Sequence, residues 1–201
     1  KGLCGSFNSN TLKKLDEVVK NFKKDDKYVS IIAIGRKIKD YCKSKKIKLD
    51  SGIDQLIPEI MFEEGKKISE EIVKKYLDDD YDEVYLLFSK FISAIKYSLQ
   101  FEKVLPIEKK EGLPTDHEYI FEPSEEVVLR EFIPKVFNIK LYQSLLENTA
   151  SEHSARMTAM QQASDNAEDM INKLTIEYNR VRQGEITQEL TEIVGGAEAL
   201  K

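Results

Sequence analysis

Residues 132–183 read FIPKVFNIKLYQSLLENTASEHSARMTAMQQASDNAEDMINKLTIEYNRVRQ. Stepping alternately by four and three from Phe132 lands on Val136, Ile139, Gln143, Leu146, Ala150, His153, Met157, Met160, Ser164, Ala167, Ile171, Leu174, Tyr178 and Val181. A seven-residue repeat kept over about 50 residues predicts one helix with a continuous seam and a left-handed supercoil. Ser124-Glu-Glu-Val is a suitable opening, since a capping hydroxyl is followed by two carboxylates at the positive end of the helix dipole. From Ser124 to Ala199 the only proline is Pro134, and no glycine occurs before Gly184. At about 1.5 Å per residue, a helix over 132–199 would be about 100 Å long. The register breaks at Gly184-Glu185, steps by five to Ile186, and resumes at Leu190, Ile193 and Ala197. The apolar stripe is therefore expected to shift around the helix near Gly184.

A seam of this length needs a helix of similar length to cover it. No other helical pattern in the chain exceeds about 20 residues, so the cover is expected from another chain or from sequence preceding Lys1. Small seam residues (Ala150, Ser164, Ala167) would let that partner approach closely.

Upstream of Ser124 the pattern alternates. Leu12, Leu15, Val18, Val19 and Phe22 recur at helical spacing behind a cap at Ser9 or Asn10. Tyr28–Ile34 is a short run rich in β-branched residues that ends at Gly35, as suits a strand covered on both faces. A lysine-rich helical stretch runs from Arg36 to about Lys46. After Ile53–Pro58, Ile60, Ile68, Ile72, Val73, Tyr76 and Leu77 again have helical spacing. Glu83–Phe88 and Ser98–Ile107 read as strands, and Glu118–Glu122 as a short edge strand. Strands separated by helical segments predict βαβ units. The expected architecture is α/β: a small open-sheet Rossmann-like domain over residues 1–123, then a long C-terminal helix over 124–201 that forms half of a coiled coil.

The 201 residues carry 41% hydrophobic and 33% charged side chains, with nine Gly and five Pro. This excludes collagen-like, low-complexity and disulfide-scaffold classes. No apolar run approaches the roughly 20 residues of a bilayer span, so no direct membrane span is expected. The net charge of −5 is unevenly placed: +9 over residues 1–48, −11 over 49–131 and −3 over 132–201. The lysines of the first segment are dispersed, with little arginine or aromatic content for stacking on bases, which argues against nucleic acid. Cys4 and Cys42 match no metal or redox spacing, so free thiols are the default.

Candidate chemistry is sparse. Gly2–Asn8 precedes a helix like a phosphate loop but lacks the lysine of a P-loop and the third glycine of a dinucleotide fingerprint. A tight strand-to-helix turn explains it better. Cys4 with His117 or His153 would lack a third, orienting group. Asp78–Asp80 with Asp82 lacks the glycine and distal glutamate of a calcium loop and reads as a solvated helix end. No catalytic site, metal site or cofactor is expected.

The segments Ser151-Glu-His-Ser-Ala-Arg-Met-Thr-Ala-Met160, Asp165-Asn-Ala167, Tyr178-Asn-Arg-Val-Arg-Gln183 and Ile186-Thr-Gln-Glu-Leu-Thr-Glu-Ile-Val-Gly-Gly-Ala197 closely resemble the C-terminal helix of the gamma subunit of F-type ATP synthases. Gly2-Leu-Cys-Gly-Ser-Phe-Asn8 resembles that family's loop after its first strand, in the right order and about 150 residues upstream. Residues 9–123 resemble the family only in their α/β pattern.

The resemblance implies a non-catalytic rotor subunit. Its shaft runs inside a ring of alternating alpha and beta subunits and couples transmembrane proton flow to their conformation. It implies contacts with the alpha and beta subunits, the epsilon subunit and the c-ring, and a peripheral place on the cytoplasmic face of a bacterial plasma membrane. Arg182 and Gln183 match family positions that reach a beta-subunit loop. Thr187, Glu189 and Glu192 match positions near the same collar, and Arg156 one lower on the shaft. The seam partner would be an N-terminal helix that makes an antiparallel coiled coil with the C-terminal one and, with the first strand, would precede Lys1. A coiled-coil adaptor with an α/β recognition domain is the alternative reading, and a small nucleotide-binding enzyme a third.

Overall fold

The computed structural model describes residues 2–54, 61–107 and 121–199. Helix α1 (Phe7–Lys24) leads to strand β1 (Ile31–Ile34), helix α2 (Arg36–Lys45) and strand β2 (Leu49–Ile53). Helix α3 (Met61–Leu77), strands β3 (Val84–Ser93) and β4 (Lys96–Leu105), and helix α4 (Glu125–Glu198) follow. The chain divides into two compact units, Lys1–Arg156 and Met157–Lys201.

In the first unit β1 and β2 pair in parallel across α2, which is the expected βαβ unit. Gly35 makes the crossover possible. Its φ of 119° is open to glycine rather than to residues with a side chain, and its N–H bonds to Ile53 O at 2.7 Å. Gly52 lies so close to Lys39 that an added Cβ would sit 2.9 Å from that side chain and 3.2 Å from Ala33 O. Strands β3 and β4 pair antiparallel as a hairpin through Ala94-Ile95.

The two strand pairs share their cores. Ile32 and Ile34 of β1, Ile53 of β2, and Val84 and Leu86 of β3 pack on one cluster with Ile68 and Ile72 of α3 and Phe137 and Leu141 of α4. Ile31 of β1, Leu49 of β2 and Leu87 of β3 pack on a second with Leu15 and Val19 of α1 and Ile38, Tyr41 and Cys42 near or in α2. Alternate strand residues thus feed opposite layers, α1 and α2 on one side and α3 with the start of α4 on the other. The α/β expectation holds.

Several boundaries differ from expectation. Helix α1 begins behind Ser6, whose side chain makes no capping bond, rather than at Ser9 or Asn10. The strand expected at Ser98–Ile107 runs from Lys96 to Leu105, and β3 extends to Ser93. Strand β2 was not expected at all. Ile60, His117 and residues 118–120 of the expected edge strand lie outside the described residues; Phe121 and Glu122 are described and are not in a strand.

Glu83 ties the hairpin to the turn after α1. It accepts hydrogen bonds from Lys103 Nζ at 2.8 Å, Tyr85 Oη at 3.0 Å and Lys27 Nζ at 3.4 Å. These donors, Lys103 foremost, hold its carboxyl at about 2, down from an ordinary 4.5. A depressed carboxylate pKa adds stability that is complete above the unfolded value and is lost as pH falls toward the folded one. Stability followed by circular dichroism should therefore decline from about pH 4.5 toward pH 2. Glu83→Gln should be less stable at pH 7 and flatter across that window.

Candidate functional site

Ser124 caps α4 as expected: its Oγ accepts from Val127 N at 3.4 Å and its carbonyl from Val128 N at 3.1 Å. From there α4 is helical to Glu198, with Pro134 inside it and Gly184 and Glu185 both helical.

Two stripes run along the first half of this helix. Phe137, Leu141, Ser144, Ser151 and Ser154 are buried against the α/β layers, with Asn148 half-buried among them. The predicted seam lies elsewhere on the surface. Phe132, Val136, Ile139, Gln143, Leu146, Ala150, His153, Met157 and Met160 are all exposed. In the second unit Ile171, Leu174, Tyr178 and Val181 are exposed as well. The described residues supply no cover for the seam. Apolar side chains in so long a file, more than half exposed at Ile139, Met157, Ile171, Leu174, Tyr178 and Val181, mark an interaction surface.

Five of the six residues singled out for partner contact share this exposure. Arg182, Gln183, Thr187, Glu189 and Glu192 project from α4. Thr187 Oγ1 donates to Gln183 O at 2.8 Å, and Gln188 Nε2 donates to Glu192 Oε1 at 3.0 Å, both within the helix. Arg156 is half-buried, bonded to Glu152 and donating from Nε to Gly2 O at 3.5 Å.

The remaining candidates have structural explanations. Leu3 and Gly5 have positive φ, Phe7 N bonds to Cys4 O at 3.2 Å, and Asn8 Nδ2 donates to the buried Cys4 Sγ at 3.1 Å. Gly2–Asn8 is therefore a tight turn into α1. Cys42 is fully buried, and burial pushes its thiol pKa up, away from reactivity. Asp78–Asp80 follows the end of α3 and is exposed. Asp50, which the sequence did not single out, accepts from Tyr81 Oη at 2.5 Å and lies 3.7 Å from both Lys75 and Lys48. The tyrosine bond foremost holds its pKa below the usual carboxylate range, and the charges of the two lysines add to this. The pairing fixes β2 beside the residues after α3. Among the described residues, no group of three or more His, Cys, Asp or Glu is placed to hold a metal.

The family profile described as ATP synthase matches residues 1–200. The ATP synthase gamma chain of Fusobacterium nucleatum is 48% identical over 200 residues, covering all of this chain and 70% of that relative. The chain belongs to the ATP synthase gamma chain family. The gamma chain of Geotalea daltonii is 39% identical over 203 residues, again covering all of this chain and 70% of its own length. In solved structures, the central stalk and c-ring assembly of Tetrahymena thermophila mitochondrial ATP synthase holds a chain that matches at 25% identity with a TM-score of 0.63, covering 82% of this chain and 72% of that one. Like its gamma-chain relatives, this chain is a subunit of a larger complex, and among its described residues no helix is long and apolar enough to cross a membrane. Family membership accounts for the distinctiveness of α4, where most of the recognised motifs lie.

Proposed function

We propose that the chain is the central-stalk rotor subunit of an F-type ATP synthase and carries no catalytic groups itself. The observation that carries this reading is the match to gamma chains over the whole of this sequence at up to 48% identity. The uncovered seam of α4 supports it, because a shaft helix needs a second helix along it. In this reading residues 1–123 form the α/β domain, residues 124–201 the shaft, and the seam is covered by an antiparallel helix that precedes Lys1 in the longer protein.

The work is mechanical. A shaft that makes different contacts with three equivalent beta subunits shifts each one's conformational populations as it turns. Arg182 and Gln183, with Thr187, Glu189 and Glu192, are assigned to the collar of the alpha–beta ring, and Arg156 to a lower position. Exposed ion pairs are individually weak, and arginine can grip a carboxylate with two bonds, a combination suited to contacts remade at every step. The α/β domain would meet the epsilon subunit and the c-ring, peripherally, on the cytoplasmic face of a bacterial plasma membrane.

Co-purification tests this. The longer protein should assemble with alpha and beta chains into a complex that hydrolyses ATP. A protein that stays apart from them would support the coiled-coil adaptor reading instead.

A further inference from the structure

The serines of the buried stripe on α4 bond to backbone rather than to one another. Asn148 Oδ1 accepts from Ser89 N at 3.2 Å, and Ser151 Oγ donates to Ser89 O at 3.0 Å. Ser154 Oγ donates to Ser93 O at 3.4 Å and to Ala94 O. Both main-chain groups of Ser89 in β3 are thus held by side chains of α4, and so is the entry to the β3–β4 turn. Ser151 is completely buried, so water does not compete for its hydroxyl. Nearer the start of α4 the attachment through Phe137 and Leu141 is apolar, and the ion pair beside it, Lys140 to Glu102 of β4 at 2.5 Å, lies between partly exposed side chains where water competes.

The two attachments resist different motions. Apolar contact is non-directional, so a helix can roll about its axis and exchange one such contact for another at little cost. Hydrogen bonds weaken steeply when bent, so three side chains fixed to carbonyl and N–H groups of a strand resist roll. We propose that Asn148, Ser151 and Ser154 are positioning residues that lock the roll of α4 on the β3–β4 hairpin, so that turning force on the α/β domain reaches the distal part of α4 instead of being lost as slip. This inference rests on the rotor reading above.

The test uses the full-length protein assembled in its complex in membrane vesicles, with ATP hydrolysis and ATP-driven proton uptake measured on the same preparation. For the combined variant Asn148→Leu, Ser151→Ala, Ser154→Ala, hydrolysis should stay within about twofold of the parent while protons moved per ATP fall by about threefold or more, since the directional bonds are gone and the volume is nearly kept. Asn148→Asp keeps the acceptor for Ser89 N and should keep the parental ratio. A role confined to folding would lower the amount of complex but leave the ratio unchanged, and an unchanged ratio overturns the clamp while the rotor reading stands. If the parent protein neither assembles nor couples, the rotor reading falls and the clamp with it. If the combined variant does not assemble, the Ser151→Ala, Ser154→Ala pair decides by the same ratio.

Discussion

Replacing Phe137 by alanine should destabilise the α/β unit by about 3–5 kcal/mol, the usual cost of removing a buried phenyl ring and leaving a cavity. The ring is 4% exposed and lies among Ile68, Ile72, Leu105 and Leu141, where α3, β4 and α4 converge. Because these elements arrive from distant parts of the sequence, none can close the space alone. Total stability of a domain is only about 5–15 kcal/mol, so the variant should approach the edge of folding. Leu77→Ala, at a side chain 73% exposed, is the control and should cost no more than about 0.5 kcal/mol. Denaturant unfolding of both variants of the full-length protein measures the difference; similar midpoints would mean that α4 does not complete this core.

Replacing Arg182 and Gln183 together by alanine should leave stability nearly untouched, since both project from exposed turns of α4. It should instead lower ATP-driven proton pumping by the assembled complex, by about tenfold, if the pair makes one or two charge-assisted bonds to a beta subunit at each step. Removing residues 187–201 should have an effect in the same direction. Unchanged pumping in both variants would withdraw the assignment of these residues to the collar.

Legibility followed how local the signal was. Helix α4 was readable because a seven-residue repeat is a property of the sequence itself, and the structure leaves that seam exposed where the repeat put it. Strand β2 was not readable: Asp50, Ser51 and Gly52 are poor strand formers, and pairing with β1 overrides that preference. Asp50 is accommodated there by Tyr81 and Lys75, which are distant in sequence. The hairpin was missed because Ala94-Ile95 carries none of the glycine or asparagine that usually marks a two-residue turn. The second stripe of α4 was not legible because Ser144, Asn148, Ser151 and Ser154 are polar; Asn148, Ser151 and Ser154 meet main-chain partners in β3 and its turn that no spacing reveals, and Ser144 bonds back to Lys140 O within α4. The collar residues were legible only through family resemblance, since an exposed helix face carries no local mark of what it touches.

In the rotor reading this chain turns inside a ring of alpha and beta subunits. The most direct measurement fixes that ring to a surface, attaches a bead or rod to an exposed lysine position of α2 such as Lys43 in the full-length protein, and watches single complexes as ATP is hydrolysed. Stepwise rotation in one direction that stops when ATP is withdrawn is the expected result. Hydrolysis by the assembled complex with the probe stationary would contradict it.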